Sequence, residues 1–186
     1  MSTIGEISTK DDLLGHLISL REAAIYDIFA QTCLHEFIKK WQRGEADPKS
    51  LKTELPEGII DLAQFMQRLT RYGDRALVET KRNANRSTTR NLLKEGFRIT
   101  QSFCQHSGTE AQLTRQPWYQ FARIIVNSLS HNFRFQFRPH DLKNLPVNFR
   151  GQSIDASQDG QSFSMPLEIL VALYDEIVEF VINNLR

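Results

Sequence analysis

Trp118-Tyr-Gln-Phe-Ala-Arg-Ile-Ile-Val-Asn-Ser-Leu-Ser-His-Asn132 is the stretch that decides how this chain folds. At about 100° per residue, Trp118, Phe121, Ala122, Ile125 and Leu129 share one helical stripe, a face that needs a core to pack against. Arg123, Asn127 and His131 recur at i, i+4 and i+8 on roughly the opposite side. Pro117 suits the first turn of such a helix, and Asn132 suits its end. No other stretch concentrates hydrogen-bonding and titratable groups as tightly, so Arg123, Asn127 and His131 are the candidate site.

Upstream, helical periodicity predicts a long first helix from about Asp11 to Arg43, with apolar positions such as Leu13, Leu17, Leu20, Ala24, Ile28, Leu34 and Phe37. Thr9 is its candidate N-cap with Asp12 three residues on, Arg21-Glu22 marks a candidate kink, and Gly44 stops it. The segment from Gly44 to Pro56 reads as a loop, and a second helix is predicted from Glu57 to Arg71. A third helix is predicted from about Thr88 to Cys104. Between these two, Gly73 either ends the second helix or lies within a continuation to about Lys81.

Downstream the period changes. Phe133-Arg-Phe-Gln-Phe-Arg138 alternates, Val147 to Ile154 reads as a strand, and Asp159-Gly160 is a hairpin-type turn leading into Gln161-Ser-Phe163. The last helix is the clearest, with Ser164 as candidate cap, Pro166 in its first turn, and one apolar face formed by Leu167, Leu170, Val171, Tyr174, Ile177, Val178, Val181, Ile182 and Leu185. The expectation is therefore a mainly α, single-domain (1–186) antiparallel bundle of about five helices with a small β-hairpin before the C-terminal helix.

The hydrophobic fraction of 40% and charged fraction of 24% are those of a globular chain. No apolar run approaches the ~18–20 residues that a membrane helix needs, and the first residues lack a basic start followed by an apolar stretch. No membrane association and a cytoplasmic location are expected. Cys33 and Cys104 stand alone, away from any Cys or His at ligand spacing, and read as buried small hydrophobes. His16, His35, His106 and His140 have no partner at metal spacing. A phosphate loop, a nucleophile elbow and a zinc-protease motif are all absent, so no metal and no cofactor are expected.

The net charge of +1 hides a basic middle: residues 68–98 carry nine Lys and Arg against three Asp and Glu. Arg82, Arg86 and Arg90 recur at helical spacing there, either a phosphate-neutralising row or a solvated face paired with acidic neighbours. Arg134 and Arg138, interleaved with Phe133, Phe135 and Phe137, likewise read two ways. The pattern fits base stacking with backbone contacts, and it fits a half-buried strand with its polar side in water.

The order of these parts, a helix closing on Asn127-Ser-Leu-Ser-His-Asn132, a small hairpin and one final amphipathic helix, resembles the HEPN superfamily of helical-bundle proteins. Its hallmark is an Arg, four to six residues and a His, often Arg-Asn-x-x-x-His. Asn127 and His131 match; Val126 occupies the Arg slot, and Arg123 lies one turn earlier. The resemblance implies a homodimer whose motif faces meet across a cleft and, in active members, a metal-independent endoribonuclease of a defence or toxin–antitoxin system. There the His exchanges protons at the ribose 2′-hydroxyl and the Arg stabilises the developing charge on phosphorus. RNA and a partner protein are the implied partners. With Val126 in the Arg slot, the alternative is a catalytically inactive HEPN-like module that dimerises and serves as a scaffold. The bland alternative for Asn127 and His131 is that they close a helix C-terminus.

Overall fold

The computed structural model describes residues 7–47, 53–55, 58–60, 67, 71 and 73–185. Helix α1 spans Lys10–Gln42. Its start is a reciprocal capping box: the Thr9 hydroxyl accepts from the Asp12 N–H at 3.1 Å, and the Asp12 carboxylate accepts from the Thr9 N–H at 3.0 Å. Those bonds hold the Asp12 carboxyl below its ordinary range, so the cap acts at neutral pH and is lost as acid protonates it. The helix runs unbroken through Arg21-Glu22, both good helix formers, and stops where Gly44 takes φ +75°.

Next come strands β1 (Thr53–Leu55) and β2 (Gly58–Ile60), antiparallel with Glu54 opposite Ile59. This corrects both the loop expected up to Pro56 and the helix expected from Glu57. The β-branched Ile59-Ile60 pair favours extended backbone. In the remainder of that expected helix, Gln67 and Arg71 are helical, as expected, and the other residues fall outside the described ones. Helix α2 then runs without interruption over Gly73–His106, where a separate third helix starting near Thr88 was expected. Gly73, at φ +75°, is its first residue. The polar run from Arg82 to Arg90 lacks Pro and Gly, so nothing in it breaks the helix.

Beyond α2 lie α3 (Glu110–Thr114), α4 (Tyr119–Ser130), α5 (Pro139–Leu142), the hairpin β3 (Val147–Phe149) and β4 (Gln152–Ile154), a 3₁₀ turn (Ala156–Gln158), and α6 (Leu167–Asn184). The fold is mainly α, with a small hairpin before the C-terminal helix. That hairpin folds within the segment expected as one strand, because Arg150 and Gly151 both adopt positive φ and turn the chain between Phe149 and Gln152. Pro117 precedes α4 instead of joining its first turn. α6 starts after Pro166 without a side-chain cap, so Ser164 does not serve as one.

Packing divides the chain into two compact units, one of residues 1–22 with 89–186 and one of residues 23–88. In the first, Leu13, Leu17, Leu93, Phe97, Phe121, Ile125, Leu129, Leu173, Ile177 and Val181 belong to one buried cluster. The expected apolar face of α6 is only partly buried: Leu167, Val171 and Ile182 are exposed, whereas Ala172, Leu173 and Phe180 are buried in addition. Lys10 Nζ donates to the Ile182 and Leu185 carbonyls at 2.8 and 2.9 Å, satisfying acceptors that the helix end leaves open. The second unit has its own small cluster, Ile38 and Leu77 with Leu34, Phe37 and Trp41. Cys104 is buried as expected, but Cys33 is exposed.

Tyr174 locks three helices of the first unit. Its hydroxyl donates to the Leu17 carbonyl at 2.7 Å, and its ring lies so close to Gly96 that a Cβ there would sit 2.5 Å from the ring. Burial pushes the phenol well above its ordinary range. Gly96→Ala should therefore destabilise by about 1–3 kcal/mol through overpacking, although helix propensity alone would favour Ala by about 1 kcal/mol. Thermal unfolding followed by circular dichroism reads the sign: the melting temperature is expected to fall.

Candidate functional site

Helix α4 carries the three residues singled out by their spacing. Trp118, Phe121, Ala122, Ile125 and Leu129 are buried as expected, and Tyr119, Ile124, Val126 and Ser128 are buried with them. The apolar face is thus wider than one stripe, leaving Arg123 and Asn127 partly exposed. Val126, in the slot of the Arg that the spacing calls for, packs into the core cluster.

The end of α4 is built by backbone. The His131 N–H donates to the Asn127 and Ser128 carbonyls, both at 3.1 Å, and Asn132 and Phe133 come next with φ of +53° and +58°. Asn tolerates that conformation; Phe adopts it at a cost. It is held there by the bond from the Phe163 N–H to the Phe133 carbonyl at 2.7 Å and by ring packing against Phe163. The reversed chain then runs beside residues 160–163, with Arg134 paired to Ser162. Phe135 is buried and packs on Phe163 and Phe137. Arg134 and Arg138 point to the polar side and are exposed. The alternation is therefore a half-buried extended segment, its rings spent on the core.

Asp141 organises the short helix α5 and its approach. Pro139 opens α5 in its first turn, and the Asp141 carboxylate reaches back to accept from the Arg138 N–H at 2.8 Å. The other carboxylate oxygen accepts from Arg123 Nη2 and stands 3.3 Å from His140 Nε2. Arg123 Nη1 also meets His140 Nε2, and its Nε donates to Gln120 Oε1 at 3.0 Å. Side-chain exposure grades from 4% at Asp141 through 23% at Arg123 to 54% at His140, so a buried carboxylate anchors a guanidinium whose neighbour is an exposed imidazole. Accepting from Arg123 requires a bare His140 Nε2, with the imidazole proton on Nδ1. A guanidinium and an exposed imidazole, held from beneath by one carboxylate, form an edge suited to a phosphate oxygen.

Asn127 serves a different partner, donating its amide to the Gln136 carbonyl at 2.9 Å and tying α4 to the connector of residues 131–138. The side chains of Arg123, Asn127 and His131 share no hydrogen bond among the described residues. Arg123 is brought to His140 and Asp141 instead. Those two residues were not singled out in the sequence, where His140 read as a histidine without partners. The available signal was Arg138-Pro139 and then an acid at the third helical position, a helix start whose carboxylate needs a cation.

Arg82, Arg86 and Arg90 do lie on one helix, α2. Arg82 pairs with Glu79 at 3.7 Å, and Arg90 has a buried Nε without a partner among the described residues. Among the described residues, no group of three or more His, Cys, Asp or Glu is placed to hold a metal ion. No helix among them is long and apolar enough to cross a membrane.

Comparison with family models, curated proteins and solved structures finds no match to this chain.

Removing Arg123 leaves the Asp141 carboxylate buried with one backbone donor. Arg123→Ala should cost about 2–3 kcal/mol in urea unfolding, discounted for the partial exposure of the guanidinium. Combining it with Asp141→Ala should cost less than the two single losses together, with a coupling of about 1–2 kcal/mol.

Proposed function

We propose that this chain is a HEPN-like RNA-binding domain. It engages phosphates with Arg123 and His140 and with the connector residues Arg134 and Arg138. The observation that carries this reading is the buried Asp141 carboxylate, which fixes a guanidinium beside an exposed imidazole. From residue 133 to residue 143 the chain exposes Arg134, Arg138 and Lys143, and the acid within that stretch, Asp141, is itself buried. Positioned cations of this kind neutralise backbone charge, and the buried Phe135 ring, with Phe133 and Phe137 partly buried beside it, holds the extended segment that carries them.

Binding is favoured over cleavage because Arg123 is bonded to Asp141 and His140, and the Asn127 amide to the Gln136 carbonyl, so neither is hydrogen-bonded to the His131 imidazole. A second reading, a catalytically inactive dimerising scaffold, is favoured by Val126, which is 9% exposed and leaves the hallmark's Arg slot without a cation.

Fluorescence anisotropy with a short single-stranded RNA, in chelator, separates these readings. The Arg134→Ala/Arg138→Ala variant is expected to bind about five- to tenfold more weakly, with a shallower dependence of affinity on salt. Equal binding by this variant and the unsubstituted protein, or no binding at all, removes the RNA reading and leaves the scaffold. Metal-free cleavage abolished by His131→Ala would restore the endoribonuclease reading.

A further inference from the structure

In the unit formed by residues 23–88, polar and apolar groups are placed inside out. Thr88 is buried and donates to the Asp27 carboxylate at 2.8 Å. The Gln31 and Asn85 side-chain oxygens are shut away from solvent without a hydrogen-bond partner among the described residues. On the outside of α1, by contrast, Ile25, Tyr26 and Phe29 are 56%, 74% and 65% exposed. Buried polar atoms without partners cost stability, and a cluster of large apolar side chains in water gains none. Such a face is one that is normally covered.

The sequence of the face specifies its cover. Ile25, Phe29, Cys33 and Tyr26 fall within about 100° of the helix circumference, with Ala23 and Ala30 at the border, and all six are exposed. Asp27 is the only charged residue from Ala23 to Leu34, and Thr88 holds it. An uncharged face offers nothing to a nucleic acid or an acidic peptide. Its bulk is also graded along the axis: Ile25 and Tyr26 are large, whereas Ala30 and Cys33, one to two turns on, are small.

We infer that this face is an interface at which a second copy of the chain packs its own α1 antiparallel to the first, with the two-fold axis near Phe29. That register sets Ile25 and Tyr26 of each copy against Cys33 of the other, bulk into space, and brings Phe29 against its symmetry mate and Ala30. A parallel pair would instead stack bulk on bulk and set Glu22, Glu36 and Lys40 each on its own copy, whereas the antiparallel pair keeps its like-charge contact, Glu22 with Glu36, at the two ends of the interface. Ile25, Tyr26 and Phe29 expose roughly 400 Å² per copy; with their neighbours, the total burial comes to about 1,000 Å², the lower bound for a specific dimer. The interface stands apart from the RNA reading, since none of these residues belongs to the connector or to α4.

Sedimentation velocity between about 1 and 200 µM tests it, a range that spans micromolar association. The unsubstituted protein is expected to dimerise. Phe29→Glu and Ala30→Trp should each weaken the dimer by about a hundredfold, one by charge and one by filling the space, with helicity retained by circular dichroism. Val171→Glu, on the exposed face of α6, should leave the dimer unchanged. A second readout needs no substitution: exposed Cys33 should react about tenfold more slowly with a thiol reagent at the highest concentration than at the lowest. A monomer throughout the range, a dimer that survives both α1 substitutions, one lost in Val171→Glu, or a Cys33 rate independent of concentration overturns the inference.

Discussion

A carboxylate that water cannot reach must be satisfied by the chain itself, and the Asp141 carboxylate is almost wholly buried. It takes one bond from the Arg138 backbone and one from the Arg123 guanidinium, and it faces the His140 ring. Through those contacts a short helix of four residues is pinned to α4, and the connector between them is held at both ends. Asn127, bonded to the Gln136 carbonyl, adds a point of attachment between the ends. The same demand that orders the connector also fixes where its cations stand. Folding and charge placement are here one constraint, which is why the region reads as a binding edge and not as a loose basic loop.

The remainder of the first unit supports this edge from beneath. The hydrophobic face of α4 packs into the main core cluster with α2 and α6, and Tyr174 closes the gap left by Gly96. Pinned by close packing, α4 gives Arg123 a rigid base. The second unit is organised on another principle, with Asp27 and Thr88 bonded to each other while large apolar residues face outward. A polar seam of this kind restricts register at a cost in stability, and it leaves the outer face of α1 as the surface on which further apolar burial can occur.

Much of the fold was legible in the chain. Periodicity located α1, α4 and α6 to within a few residues, and Thr9, Asp12 and Gly44 marked the limits of α1 by local chemistry alone. What periodicity could not show was where a polar stretch stays helical: residues 82–90 offer little apolar pattern, yet α2 passes through them because nothing breaks it. It also missed the pairing of Thr53–Leu55 with Gly58–Ile60, and the tight turn at Arg150–Gly151, where two residues outweigh the pattern on either side. For the site, spacing along α4 singled out Arg123 but grouped it with its helical neighbours. Its actual partners, His140 and Asp141, lie 17 and 18 residues away. A contact of that kind arises from a chain reversal at Asn132–Phe133, and no helical period encodes it.

Side-chain NMR of the arginine Nε–H groups, recorded with and without a short single-stranded RNA in the absence of metal, addresses the central claim most directly. Arg123, held by Gln120 and Asp141, should give a sharp signal in the free protein, and RNA should shift it together with those of Arg134 and Arg138. RNA that binds while leaving the Arg123 signal in place, or that shifts Arg82 and Arg86 instead, would contradict the placement of the binding edge at Asp141.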